Sequence, residues 1–312
     1  MKVQYLFLAA AAAAVQGIRI VQSNDDGWAE LYLRSFHYAL KAAGHNVVLS
    51  APAENKSGSG SRDHEPSPRT SECQYGSCPA DTGQPVGRNE SSPRLNWVNS
   101  DPVTSMRYGI EQFGPQEWNN AAPELAVAGP NVGTNVFVQV PYSGTVGAAA
   151  YAAHRRGIPA IAFSGASEGP LAWDTDPVPL RSLVYAQLAT QFVGKIVEGG
   201  KPYLPSGVWL NVNFPKIEGS CTDASKFKWV LSRIDAFTDW DIQLCGVTWL
   251  PMETDVLSHV EGGCYITVSV GNAGDKMTAP KDMQEVVLAK LKGLFSCLPI
   301  GHARTSLPYV GV

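Results

Sequence analysis

Apolar residues fall into two patterns along this chain. Some form short unbroken runs; others return every third or fourth position. The runs at residues 18–22, 46–51, 125–128, 158–163 and 209–214 read as strands covered on both faces, since a parallel sheet between helix layers leaves its strands no polar side. The periodic stretches read as helices. Leu33, Phe36, Leu40 and Ala43 share one helix face, and Gly44 is a natural closing residue. Ser143-Gly144-Thr145 opens a helix through Arg156, whose small residues Gly147, Ala148, Ala149 and Ala150 allow close packing on a sheet before Gly157 ends it. Leu180, Leu183, Val184, Leu188, Phe192 and Ile196 mark a third helix over residues 180–198.

Strands alternating with helices predict an α/β protein with a Rossmann-like three-layer fold and a mostly parallel sheet. Residues 18–215 make this core. Residues 53–95, rich in Ser, Gly, Pro and charge, read as a long surface loop, and residues 129–135 as a Gly/Asn-rich turn. Residues 216–312 read as a smaller β-rich C-terminal extension, with strand patterns at 228–231 and 265–270 and a closing helix over 282–297.

Composition adds the compartment. Of 312 residues 44% are hydrophobic, enough for a full core, and a net charge of −4 gives no electrostatic case for nucleic acid or an anionic membrane as partner. Met1-Lys2 and the apolar stretch from Leu6 to Val15 read as a signal peptide over residues 1–17, cleaved after Gly17 and too short to span a bilayer. The expectation is a soluble, secreted protein. Six cysteines, Cys73, Cys78, Cys221, Cys245, Cys264 and Cys297, fit that compartment and allow fifteen pairings, of which Cys73–Cys78 is the most local. Without a Cys-x-x-Cys or a nearby His pair, they have no metal-binding pattern. Sequons stand at Asn55-Lys56-Ser57 and Asn89-Glu90-Ser91, the second in a polar stretch that suits a glycan.

Candidate chemistry gathers at one place. In open parallel sheets ligands bind beyond the carboxyl ends of the strands. Asp25 and Asp26 follow the first strand, Ser57 the second and Asn131 the third. Adjacent carboxylates repel, and a hard divalent cation relieves this; carboxylate, hydroxyl and amide oxygens suit Mg²⁺, Mn²⁺ or Ca²⁺. Ser143, Gly144 and Thr145 stand at a helix start, where free N–H groups favour an anion such as phosphate. Taken singly, Asn24-Asp25-Asp26-Gly27 is also an ordinary turn, Ser57 a loop serine, Asn131 a turn residue and Ser143 an N-cap. Their order gives them joint meaning. No Gly-x-Ser-x-Gly supports a serine hydrolase, and the six histidines are too scattered for a zinc site.

The succession Ser23-Asn24-Asp25-Asp26-Gly27, Ala51-Pro52 with Ser57-Gly58, Ala128-Gly129-Pro130-Asn131-Val132-Gly133 with Asn135, and Tyr142-Ser143-Gly144-Thr145-Val146-Gly147-Ala148-Ala149 resembles the SurE family of survival-protein phosphatases and nucleotidases. The signal-peptide pattern points to its secreted, fungal acid-phosphatase-like branch. The resemblance is clear over residues 18–165 and weaker beyond. It implies a Rossmann-like core, a divalent metal, phosphomonoesterase activity on small substrates, often nucleoside monophosphates, and a homodimer formed through C-terminal elements. Asp25, Asp26, Ser57 and Asn131 match the family's metal ligands. Asn135, Ser143, Gly144 and Thr145 match its phosphate-pocket neighbours, with Asn135 joining Asp25 and Asp26 as catalytic. Two departures stand out: Thr104 replaces the family's Asp in Gly-Thr-Pro-x-Asp-Cys, and Pro130 stiffens the turn before Asn131.

The expected function is phosphomonoester hydrolysis by a metal-activated water. Thr104 supports an alternative, a secreted nucleotide- or phosphate-binding protein that kept the fold without turnover, and a nucleotide-sugar transferase lacks a second domain of similar size. A glycan on Asn55 would crowd Ser57, so peptide mass mapping of active protein should find Asn55 bare; full occupancy with activity intact would overturn this.

Overall fold

The computed structural model describes residues 17–80, 83–167, 169–259 and 263–299, so all of the signal-peptide reading except Gly17 lies outside the described residues. The chain opens with β1 (Arg19–Ser23), α1 (Leu31–Ala42) and β2 (Asn46–Pro52), then a long connection to the hairpin β3 (Val86–Asn89) and β4 (Ser92–Val98). Next come α2 (Pro102–Tyr108), a π-helical turn (Gly109–Phe113) and α3 (Gly114–Glu117). β5 (Leu125–Val132), α4 (Gly144–Arg156), β6 (Ala160–Gly165), α5 (Leu180–Glu198) and β7 (Val208–Phe214) follow, and then β8 (Phe227–Ser232), α6 (Glu253–Ser258), β9 (Cys264–Asn272) and α7 (Lys281–Lys290).

The nine strands among the described residues join one sheet in the order β3-β4-β2-β1-β5-β6-β7-β9-β8. β4 through β7 are mutually parallel. β3 runs antiparallel on one edge, and β9 is antiparallel to β7 while parallel to β8. Helices cover both faces: α1 and α5 pack together on one, α2 and α4 on the other. This is the expected three-layer α/β architecture.

Helix ends follow local chemistry. The Ser143 hydroxyl accepts a bond from Val146 N and caps α4, which Gly157 closes in the left-handed conformation at φ 64°.

The structure corrects three boundaries. The expected loop over 53–95 ends earlier, because residues from Val86 onward form the edge hairpin. Its alternation was masked by polar residues on an exposed edge, yet Leu95 and Trp97 are buried and β4 pairs with β2, Leu49 opposite Leu95. Asn89 therefore ends an edge strand rather than lying in a loop. Even the irregular part is anchored: Arg69, buried, bonds Glu54 at 2.9 Å and Asn99 at 3.1 Å. Second, the expected turn at 129–135 begins as strand, since β5 runs on to Val132 across a register shift between Ala128 and Asn131. Gly129, at φ 95°, makes that bulge; a Cβ there would lie 2.1 Å from Phe163 O. Third, the closing helix stops at Lys290. Beyond it Ser296 N bonds Trp229 O at 2.7 Å, and Cys297 pairs with Cys245.

The other disulfides are Cys73–Cys78, as expected, and Cys221–Cys264, which ties the β7–β8 connection to β9. No cysteine is free. Among the described residues no helix is long and apolar enough to cross a membrane.

The C-terminal strands share the core of the N-terminal ones. Phe192 of α5 stacks on Trp229 of β8, ring centroids 4.9 Å apart, and meets Phe163 of β6 edge-on at 6.1 Å. Phe192→Ala should therefore lower stability by about 3–5 kcal/mol, and denaturant unfolding followed by fluorescence and circular dichroism should show one shared transition; an intact C-terminal transition beside a weakened N-terminal one would refute a common core.

Candidate active site

The connections decide where the site lies. From β1 the chain winds outward through β2 to β4, then returns to β5 and winds the other way through β6 to β7. The switch point is the crevice between the carboxyl ends of β1 and β5, where open parallel sheets bind ligands. Asp25 and Asp26 leave β1 there, and Asn131 lies at the end of β5.

Asp25 is almost wholly buried, and its carboxylate sits on the first turn of α4. Gly144 N donates to Oδ2 at 3.0 Å, Thr145 N to Oδ2 at 3.1 Å and the Thr145 hydroxyl to Oδ1 at 2.6 Å. The donors assigned to phosphate at Gly144 and Thr145 thus meet an aspartate of the chain itself. Ser143, the third of that set, uses its hydroxyl to cap the helix. Burial, opposed by these bonds, still raises the Asp25 pKa.

Asp26 faces the β5 side. Its Oδ2 accepts from Val132 N at 2.9 Å. Burial first, then the Asp25 charge, pushes its pKa well above the usual carboxylate range. Glu30, four residues on, is buried too; its oxygens accept from Leu171 N at 3.1 and 3.0 Å, and burial pushes its pKa up to about 7.

The loop after β2 is fastened to the same point. Lys56 N donates to Asp25 O at 2.7 Å and Gly60 N to Tyr142 O at 2.9 Å. Ser57 is exposed, with its N–H bonded to Asn55 Oδ1 at 2.8 Å. Ser59 is the buried serine of this loop, and its hydroxyl has no partner. It stands against Asp25: a Cβ built on Gly144 would lie 2.4 Å from Ser59 Oγ and 2.9 Å from Asp25 Cβ. Periodicity gave no reason to prefer Ser59, since the loop has none.

Asn131 donates from Nδ2 to Gly133 O at 2.8 Å. Asn135 points into the sheet instead. Its Nδ2 bonds Ser164 Oγ at 2.8 Å, its N–H bonds Asn213 Oδ1 at 2.8 Å, and its carbonyl accepts from Asn211 Nδ2 at 2.8 Å and Asn213 Nδ2 at 3.2 Å. Asn211 also donates to Glu253 Oε1 at 2.8 Å. Asn211 and Glu253 carry no motif; their one signal in the sequence is a pair of asparagines inside the apolar run of β7. Thr104, the departure from the family pattern, donates to Asp63 Oδ1 at 2.8 Å, so a carboxylate from the loop after β2 stands beside that position.

Two desolvated carboxylates side by side, a partnerless serine hydroxyl and an amide oxygen form an oxygen-only donor set that suits a hard divalent cation. The set is mixed: among the described residues no three His, Cys, Asp or Glu gather for a metal. Asp25, Asp26, Asn131 and the loop serines could hold one.

The family model of the survival protein SurE matches residues 20–234. An acid phosphatase of Yarrowia lipolytica is 32% identical, the alignment covering 91% of this chain and 86% of the yeast protein. A 5′-nucleotidase SurE of Lawsonia intracellularis is 30% identical over 64% of this chain and 67% of its own length. The crystal structure of the SurE protein from Aquifex aeolicus superposes with a TM-score of 0.55 at 21% identity, covering 87% of this chain and 98% of that one, which establishes likeness of fold.

Burial pushes the Glu253 pKa up from 4.5 to about 8. A raised acid pKa means the folded state holds the proton more tightly, so this stability is fully present below about pH 4.5 and lost as pH rises through about 8. Buried His37, lowered to about 3, acts in the opposite sense on the acid side. Glu253→Gln isolates the term: its melting temperature should change less than the parent's between pH 5 and pH 8, a window inside the shift. Parallel pH profiles of the two proteins would refute the assignment.

Proposed function

The chain belongs to the SurE family, and on that premise we propose that it is a divalent-metal-dependent phosphoric monoester hydrolase of the acid phosphatase and nucleotidase kind. Its substrates are small phosphomonoesters, nucleoside monophosphates among them. The observation that carries the reading is the buried Asp25–Asp26 pair at the switch point, one carboxylate fastened to α4 and the other to β5.

Asp25, Asp26, Ser57 and Asn131 would hold the cation, Mg²⁺, Mn²⁺ or Ca²⁺, with Ser59 standing close by. When bound, the metal polarises a phosphate oxygen and lowers the pKa of a coordinated water. The chain's own residues do the rest. Gly144 and Thr145 orient Asp25 by three bonds, so its carboxylate meets the ligand without reorganising. The same helix end adds its positive field where the phosphate's charge grows. Asn135, locked among Asn211, Asn213 and Ser164, fixes the turn between β5 and α4 and so the approach of Asn131 and Ser143. Asp63 beside Thr104 weakens the case for a binding protein without turnover, since a carboxylate still stands at that position. Three disulfides support secretion.

The test is hydrolysis of p-nitrophenyl phosphate and a panel of nucleoside monophosphates, with Mg²⁺, Mn²⁺ or chelator. Chelation should abolish turnover and added metal restore it. Asp25→Asn and Asp26→Asn should each lower kcat by roughly 10²–10³-fold or more, the scale of losing preorganised charge stabilisation, with circular dichroism unchanged. Turnover that survives chelation and both substitutions would sink the proposal.

A further inference from the structure

A groove of about 360 Å³ runs beside α4 and borders the site described above at Asp63. Gly147, Tyr151 and His154 of α4 form its floor, Ser61 and Asp63 one bank, and Lys276, in the turn after β9, the other. Lys276 is half-buried, and its ammonium bonds a backbone carbonyl, Pro141 O, at 3.3 Å. Among the described residues it forms no ion pair with a carboxylate. Burial pulls its pKa down to about 8, the mark of a cation whose lost hydration is poorly replaced.

Among the lining residues two cations, Lys276 and Arg155, face one carboxylate, Asp63. His154 and Arg155 lie on its exposed side. Asp63 is already held by Arg107, at 3.2 Å from Nε and 3.1 Å from Nη2, and by Thr104. Asp275, next to Lys276, accepts from Met277 N at 2.8 Å and Asn272 Nδ2 at 3.3 Å. Asp63, the acid in the lining, pairs with Arg107 rather than with Lys276.

The groove also adjoins the Asp25 site. Pro141, which Lys276 touches, lies two residues before the Ser143 cap, and Gly147 packs so tightly on the metal loop that a Cβ there would sit 1.9 Å from Gly60 O. At about 1.5 Å per helical residue, Gly147 to Tyr151 lies about 5–10 Å along α4 from Gly144, where Asp25 is bound. Along the helix the two places lie within the span of a small organic bisphosphate.

We infer that this groove is a second anion subsite, with Lys276 as its principal contact, which selects small organic bisphosphates by holding the phosphate remote from the one at Asp25 and Asp26. The inference rests on the phosphatase reading for its kinetic form. Binding by itself does not need that reading.

The experiment compares adenosine 3′,5′-bisphosphate with adenosine 5′-monophosphate as substrates of the metal-loaded full chain. Lys276→Met should raise KM for the bisphosphate by about tenfold, the scale of one charge-assisted contact, with kcat unchanged. Its monophosphate kinetics should match those of the parent, and Lys276→Arg should recover most of the loss. Equal effects on both substrates, or none, would overturn the subsite. If the parent hydrolyses neither substrate, the phosphatase reading fails on its own, and calorimetric titration with pyrophosphate decides the subsite: weaker binding to Lys276→Met supports it, and equal affinity overturns it.

Discussion

Asp25 closes α4 from outside that helix. Its carboxylate takes the two N–H groups at Gly144 and Thr145 together with the Thr145 hydroxyl, so the end of β1 and the start of α4 are joined by three bonds in a buried place. Other parts of the site are positioned from this joint. The loop after β2 hangs on the Asp25 carbonyl through Lys56 N, and Gly60 locks to the turn before α4. Gly144 and Gly147 let those segments approach, because a side chain at either would collide with Ser59 or Gly60. A charge buried this way is tolerable since a helix end carries unsatisfied donors and a favourable field.

The arrangement has an electrostatic consequence. Asp26 lies beside Asp25 with one bond from β5, and burial together with the neighbouring charge makes its ionised form costly. The fold therefore presents one well-satisfied carboxylate and one poorly satisfied one. A divalent cation is the simplest species that lets both ionise, and Ser59 and Asn131 offer neutral oxygens at the same edge. The polar network beneath, from Asn135 through Asn211 to Glu253, holds the β5–α4 turn rigid without adding charge, because burial keeps Glu253 protonated well above the usual carboxylate range.

Much of this was legible in the sequence, for reasons that differ between elements. β1, β2, β5, β6 and β7 stand out because a strand buried on both faces has to be apolar throughout, and α4 because its small residues and the Ser143 and Gly157 ends are local signals. The hairpin β3–β4 was hidden since an edge strand is half solvated, and its polar residues imitate a loop. The last residues of β5 look like a turn because Gly129 is needed for a bulge, a requirement set by Phe163 on the neighbouring strand.

From the residues alone, oxygen donors leave the carboxyl ends of three strands and a helix start lies beside them. Both follow from short-range patterning, since strand ends and helix caps are written in consecutive residues. Which partners those groups take depends on how the folded segments meet. The donors of Gly144 and Thr145 turn to Asp25, Asn135 turns inward to Asn211 and Asn213, and Ser59 rather than Ser57 is the buried serine. These choices depend on distances between segments more than a hundred residues apart in the case of Asp25 and Thr145, and no local pattern encodes such a distance.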